Sequence, residues 1–218
     1  MNRPPGKKAQ LSSIGRRSLR VGYYLLFVSG VFALSYSGYV AAESQAFQQL
    51  EAKAYQQAGP LLEPHTLEEG EVMGEIDVPR LGIRAIVLHG DSPAQLRHAV
   101  GHIVKTALPG EPGNVVLAGH RDTFFRPLRD IRVGDEIRLK TRVRQFEYRV
   151  QSIEVVEPTE IRVLQTSTSH ELTLLTCFPF RYVGPAPKRF VVHAHEISRS
   201  ASPSTIQGEV EIDHSVLK

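Results

Sequence analysis

The chain has no tryptophan, two methionines and a single cysteine, Cys177, in 218 residues. One thiol excludes an intramolecular disulfide, so the fold must hold without a covalent cross-link in whatever compartment it occupies. A lone thiol is either a small buried hydrophobe or a reactive group. Acidic residues are absent from the N-terminus: Arg3, Lys7, Lys8, Arg16, Arg17 and Arg20 all precede Glu43, the first acid. This tail carries much of the formal net charge of +3, and the remainder is close to balanced, which argues against a nucleic-acid partner. A chain of this length has room for one ordinary domain with appendages, and no internal repeat divides it.

Charge is also missing between Val21 and Ala42, an apolar run long enough as a helix to cross the roughly 30 Å of a bilayer core. Tyr23, Tyr24, Tyr36 and Tyr39 lie toward its ends, where aromatic rings favour the interface. The basic excess before the span predicts a cytoplasmic N-terminus, an uncleaved signal anchor and an extracytoplasmic remainder. The expected layout is a cytoplasmic basic tail over 1–20, a transmembrane helix over 21–42 and a stalk and linker over 43–70. A compact domain over 71–197 and a flexible tail over 198–218 complete it. Phe47, Leu50 and Ala54 at helical spacing extend the helix into the stalk, up to Gly59-Pro60.

Beyond the linker the sequence reads as short strands: Val72–Val78, Ile83–Leu88, Asn114–Ala118, Glu136–Lys140, Gln145–Val156, Glu171–Thr176 and Arg189–Glu196. Pro79, Gly90, Gly113, Gly134 and Pro158 punctuate them, and the fold class is mainly β, a barrel or sandwich. Two short helices are expected, one beginning at Asp91, Ser92 and Pro93 and one over Thr123–Leu128.

Three residues stand where a strand meets a loop: His120 after Val115–Gly119, Cys177 after Leu172–Thr176, and Arg189 at the head of the last strand. Such ends present a reactive group while a sheet fixes its position. A thiol needs a proton acceptor or a stabilising cation to become a nucleophile, which an imidazole supplies. Guanidinium stays protonated, so Arg189 is suited to a developing oxyanion or a substrate carbonyl and not to a base role.

The segment Thr173-Leu174-Leu175-Thr176-Cys177 resembles the TLxTC signature of the sortases. Leu117-Ala118-Gly119-His120-Arg121-Asp122 with Phe124-Phe125 resembles the histidine-bearing strand and loop of that family, and Ala186 to Val192 its arginine-bearing strand. The order His, Cys, Arg also matches, and the likeness runs from about Glu71 to Ala194, nearest to the class D type. The resemblance implies an eight-stranded β barrel with short helices, preceded by one transmembrane helix. It implies a cysteine transpeptidase that cleaves an LPxTG-like sorting signal through a thioester and passes the acyl group to an amine. Carried over by position, Cys177 is the nucleophile, His120 the acid/base partner and Arg189 the oxyanion and substrate ligand. Thr176 is a substrate-binding candidate whose hydroxyl would equally serve to satisfy a strand end.

The implied partners are proteins bearing the sorting signal, an amine acceptor (a peptidoglycan stem or cross-bridge, or a pilin lysine) and membrane lipid. No cofactor is expected, and no metal, since the loop between the strands near Glu154 and Glu171 carries only Glu157 and Glu160 as acids. His98 with His102, and His193 with His195, lack a third ligand nearby and read as solvated or core histidines. Asp122 reads as a helix cap in preference to a third member of a triad. A papain-like hydrolase places cysteine before histidine, opposite to the order here, and an L,D-transpeptidase sets its cysteine in an HGC-like context absent around Cys177. A non-enzymatic tethered module with a buried thiol is the remaining alternative. Because His120, Cys177 and Arg189 all follow Gly70, a fragment starting near Leu61 is expected to be active.

Overall fold

The structure is a computed structural model that describes residues 8–58, 67–165 and 168–201. Contacts divide the chain into two units, Met1–Glu43 and Ser44–Lys218. The first unit is the N-terminal part of helix α1 (Lys8–Gln57), whose large apolar side chains, such as Leu25, Leu26 and Phe32, are exposed. By length and composition α1 is able to cross a membrane.

The second unit is a closed barrel of eight strands: β1 (Val72–Val78), β2 (Ile83–His89), β3 (Val100–His102), β4 (Gly113–Ala118), β5 (Glu136–Lys140), β6 (Arg144–Val156), β7 (His170–Phe178) and β8 (Lys188–Ala201). Their order around the barrel is β1-β2-β3-β4-β7-β8-β6-β5, and β5 closes on β1 through Glu75↔Lys140 and Ile76↔Leu139. Closure pairs every strand on both sides, save the part of β2 that the three-residue β3 is too short to reach. Alternation decides which side chains enter the core. Ile76 and Val78 of β1, Val115 and Leu117 of β4, Leu172 and Leu174 of β7, and Val192 and Ala194 of β8 fill the interior with Phe125, Leu128 and Tyr148.

The expected eight-stranded, mainly β barrel is therefore the observed fold. Strand β3 was absent from the sequence reading: three residues are too few for a period, and the strand exists through its partners, parallel to β2 and antiparallel to β4. Helix α2 (Pro93–His98) starts at Ser92, whose hydroxyl accepts from the Gln95 N–H while the Gln95 side chain accepts from the Ser92 N–H. The expected helix over Thr123–Leu128 is instead a run of turns leading into a 3-10 turn, Arg126–Asp130. Asp122 caps neither, and its carboxylate pairs with Arg121. His98 and His102 fall on α2 and β3 and share no helix face.

The C-terminal part of α1, within the second unit, packs on the barrel. Phe47 and Ala52 cover Ile86 and Leu88 on the outside of β2. The Gln48 side-chain amide accepts from the Ile86 N–H at 2.8 Å and donates to the His98 carbonyl at 2.7 Å. It stands in for a neighbouring strand where β3 is too short to pair. The linker expected after Gly59-Pro60 lies largely outside the described residues, as does the tail from 202 onward. Residues 198–201 belong to β8 and pair with 144–147 of β6.

Candidate active site

Strands β4 and β7 run parallel with Ala118 beside Leu175, and β7 and β8 run antiparallel with Cys177 beside Arg189. His120 lies two residues past Ala118 and Cys177 two past Leu175, so the three candidates fall at one level on three neighbouring segments. Cys177 and Arg189 share their parity as well. Leu172, Leu174, Phe190 and Val192 point into the core, which turns Cys177 and Arg189 to the outer face. Cys177 is half-buried and unpaired, and His120 is exposed.

The loop after β4 holds His120 by its backbone. Gly119 donates its N–H to the Leu175 carbonyl at 3.1 Å and accepts the Thr176 hydroxyl at 2.7 Å, which extends the β4–β7 ladder by one residue. The His120 carbonyl accepts from the Phe125 N–H at 3.1 Å. The Phe125 ring is fully buried beneath this loop, and a Cβ on Gly119 would meet it at 2.7 Å. Only glycine lets the loop lie this close to the ring.

Thr176 is 3% exposed and its hydroxyl is engaged by Gly119, so its side chain lies in the barrel wall. Arg189 donates through Nη1 to the carbonyls of Lys188 at 3.1 Å and Ala186 at 3.4 Å. Among the described residues no carboxylate pairs with it, which leaves its charge available to an anion. Below the rim, Phe178, Phe180 and Phe190 form a ring cluster with centroids 5.0–6.2 Å apart.

One buried residue beside the candidates has no signal in the sequence. Arg121, the residue after His120, is buried at 7% exposure. Its guanidinium donates to the carbonyls of Pro179, Tyr182 and Gly184 in the loop between β7 and β8, at 2.9, 2.8 and 3.4 Å. An arginine next to a histidine carries no local signal of this, because its partners lie 58 to 63 residues away.

A second histidine pair lies apart from this rim. His89 and His102 are buried with Nδ1 atoms 3.0 Å apart. His102 Nε2 faces the Ala107 carbonyl at 3.0 Å and therefore carries the proton, which makes its Nδ1 the acceptor for His89. Burial holds the His102 pKa below the usual imidazole range. Both ring nitrogens of His102 are engaged within the protein, which gives it a structural place. His193 sits on the outer wall between Glu154, at 2.9 Å, and Thr173, at 3.2 Å. Its bond to Glu154 is the main cause that holds that carboxyl below its ordinary range.

Among the described residues, a thiol, an imidazole and a guanidinium without a carboxylate partner lie at one level on a closed β barrel, a set of groups suited to thiol-based acyl transfer. A model of the sortase domain matches residues 76–197, and the chain belongs to the sortase family, a family of cysteine transpeptidases. It is similar to Sortase D of Bacillus subtilis, 32% identical over 132 residues, which are 60% of this chain and 67% of that protein. It also resembles Sortase A of Listeria monocytogenes, 30% identical over 114 residues, 50% of this chain and 51% of the relative. Among solved structures, a Clostridium perfringens Sortase D5 transpeptidase superimposes with a TM-score of 0.56 at 30% identity, covering 61% of this chain and 83% of that one. The chain thus spans about two thirds of the first relative and about half of the second.

Proposed function

We propose that the protein is a membrane-anchored transpeptidase that cleaves an LPxTG-like sorting signal and transfers the acyl part to an amine. The observation that supports this most is the common level of His120, Cys177 and Arg189 on three neighbouring segments, with Cys177 and Arg189 on one outer face. In the forward step the Cys177 sulfur, its proton passed to His120, attacks the threonyl carbonyl of the signal. Arg189 donates to the oxygen as negative charge builds on it. The carbon–nitrogen bond to glycine then breaks, His120 returns the proton to the leaving amine, and a thioester remains on Cys177. An incoming amine attacks that thioester, loses a proton to His120 and releases the thiol. Thr176 contributes to substrate positioning indirectly, by tying Gly119, and with it the His120 loop, to the nucleophile strand.

The basic residues before Val21 support a cytoplasmic N-terminus with the barrel outside. Protease added to intact spheroplasts should then digest residues 71–218, and their protection would reverse the orientation. The chemistry is tested by mixing enzyme and sorting peptide without an amine acceptor. A mass increase on Cys177 that hydroxylamine discharges is expected, and Cys177→Ala should show neither adduct nor cleavage. Undiminished cleavage by Cys177→Ala would end the thiol mechanism.

A further inference from the structure

We propose that Arg121 is a positioning residue that fastens the loop joining Cys177 to Arg189 onto the loop bearing His120. The inference rests on the transpeptidase reading above for its kinetic consequence, and on geometry alone for the fastening.

The segment 179–187 leaves β7 just after Cys177 and enters β8 just before Arg189. Its middle is open to solvent: Val183 is fully exposed, and Arg181, Gly184 and Pro185 are exposed beside it. Among the described residues no backbone–backbone bond holds 179–187 to the rest of the chain, beyond the last ladder pair Phe178↔Lys188. Its fixed points are the Phe180 ring in the aromatic cluster, the Ala186 carbonyl on Arg189 Nη1 at 3.4 Å, and the carbonyls of Pro179, Tyr182 and Gly184 on the Arg121 guanidinium, which alone among the described residues reaches the middle of the loop. The Tyr182 ring also lies over that guanidinium, 5.8 Å from its centre. Asp122, the one carboxylate paired with Arg121 among the described residues, is itself mostly exposed and 3.4 Å away, so the carbonyls supply most of the close stabilisation of a buried charge.

A planar fork with several divergent donors suits this task, since one head group reaches successive turns of a loop in fixed directions. A lysine ammonium would keep the charge and reach fewer of the carbonyls. Arg121 is bonded to His120 through the main chain, so one guanidinium sets the mutual placement of the imidazole loop and the segment between thiol and arginine. A peptide lying along this rim meets the loop as a wall. Loosening that wall should weaken peptide binding and misalign Arg189, whereas a small thiol reagent needs neither.

The test uses the full-length protein in detergent, with Arg121→Ala and Arg121→Lys. Trypsin cleavage after Arg181 reads the loop without reference to catalysis, and it should quicken clearly in Arg121→Ala and partly in Arg121→Lys. With sorting peptide, kcat/KM should fall by about 10²-fold in Arg121→Ala, the scale of a misplaced catalytic geometry, with a raised KM carrying part of the loss. Arg121→Lys should recover some of it. The rate of Cys177 alkylation by iodoacetamide should stay near that of the parent. Parent-like trypsin resistance at Arg181 in Arg121→Ala overturns the proposal, as does full kinetic rescue by lysine or failure of Arg121→Lys to fold, which would make Arg121 a core residue. A parent enzyme inert toward sorting peptides would refute the transpeptidase reading, while faster loop cleavage in Arg121→Ala would still uphold the fastening.

Discussion

The hydroxyl of Thr176 donates to the carbonyl of Gly119 at 2.7 Å, so the residue before Cys177 and the residue before His120 hold one another. Thr176→Val keeps the shape and removes the donor, which leaves a buried carbonyl unpaired at a cost of about 1–3 kcal/mol. A drop in both thermal stability and kcat/KM is expected for Thr176→Val, with Thr176→Ser close to the parent in both. Equal activity of the two variants would show that the link does not position the site.

In the proposed mechanism Arg189 meets the charge on the reacting oxygen, a role supported by its place beside Cys177 in register and its lack of a carboxylate partner among the described residues. Loss of one oxyanion donor typically costs about 10²- to 10³-fold in rate. Arg189→Ala should fold, alkylate normally at Cys177 and lose at least that factor in kcat/KM, and Arg189→Lys should recover part of it. A folded Arg189→Ala enzyme cleaving at the parent rate would reduce Arg189 to a surface charge at a strand end.

The stalk end of α1 is part of the folded unit. A fragment beginning at Ser44 keeps Phe47 and Ala52 on β2, the Gln48 amide on Ile86 and His98, and the Tyr55 hydroxyl on the Lys140 carbonyl. A fragment beginning at Leu61 loses all of them and exposes the Ile86 N–H. Such losses amount to about 1–3 kcal/mol, so the shorter fragment should unfold at a lower temperature and lower urea concentration while keeping similar kcat. Equal stability of the two would mean that these contacts contribute nothing.

Stability should also fall on mild acidification. Burial keeps His102 neutral in the folded barrel below the pH at which a free imidazole, with a pKa near 6.5, takes up a proton. Below that pH the unfolded chain binds more protons than the folded one, so folding weakens as pH falls through that value toward the depressed folded pKa. The Ala107 carbonyl favours the charge without overcoming burial, His89 opposes it, and Asp91 and Glu111 favour it more weakly. Melting temperatures at about pH 7.5 and 5.5 should differ less in His102→Gln, which retains a donor for Ala107 and does not titrate. An unchanged pH slope in that variant would remove His102 as the source.

Much of the barrel was legible because its strands are local objects. The apolar runs at Val72–Val78 and Glu136–Lys140 coincide with β1 and β5, and Ser92-Pro93 marks the start of α2 through a cap that acts within one turn. The placement of His120, Cys177 and Arg189 near strand ends was legible for the same reason, since each lies close to the start or end of such a run. Strand β3 was not, because Val100–His102 has no period of its own and takes its conformation from β2 and β4. The helix expected after Thr123 rested on Asp122 as its cap, whereas packing of Phe125 against Gly119 holds the chain in turns.

What the sequence determined by itself is therefore the inventory: an apolar span after a basic tail, a run of short strands, one thiol, and the order of histidine, cysteine and arginine. These follow from composition and from periods a few residues long, which need no partner to be expressed. Tertiary structure decided the register that brings Ala118 beside Leu175 and Cys177 beside Arg189, the face on which those side chains emerge, and the closure of β5 on β1. It also decided that Thr176 grips Gly119, that Arg121 grips the loop after Cys177, and that Gln48 completes the edge of β2. Each of these is a hydrogen bond between groups 38 to 58 residues apart, whose partner is chosen by the barrel's pairing and by the requirement that buried polar groups be satisfied, and no local pattern encodes that choice.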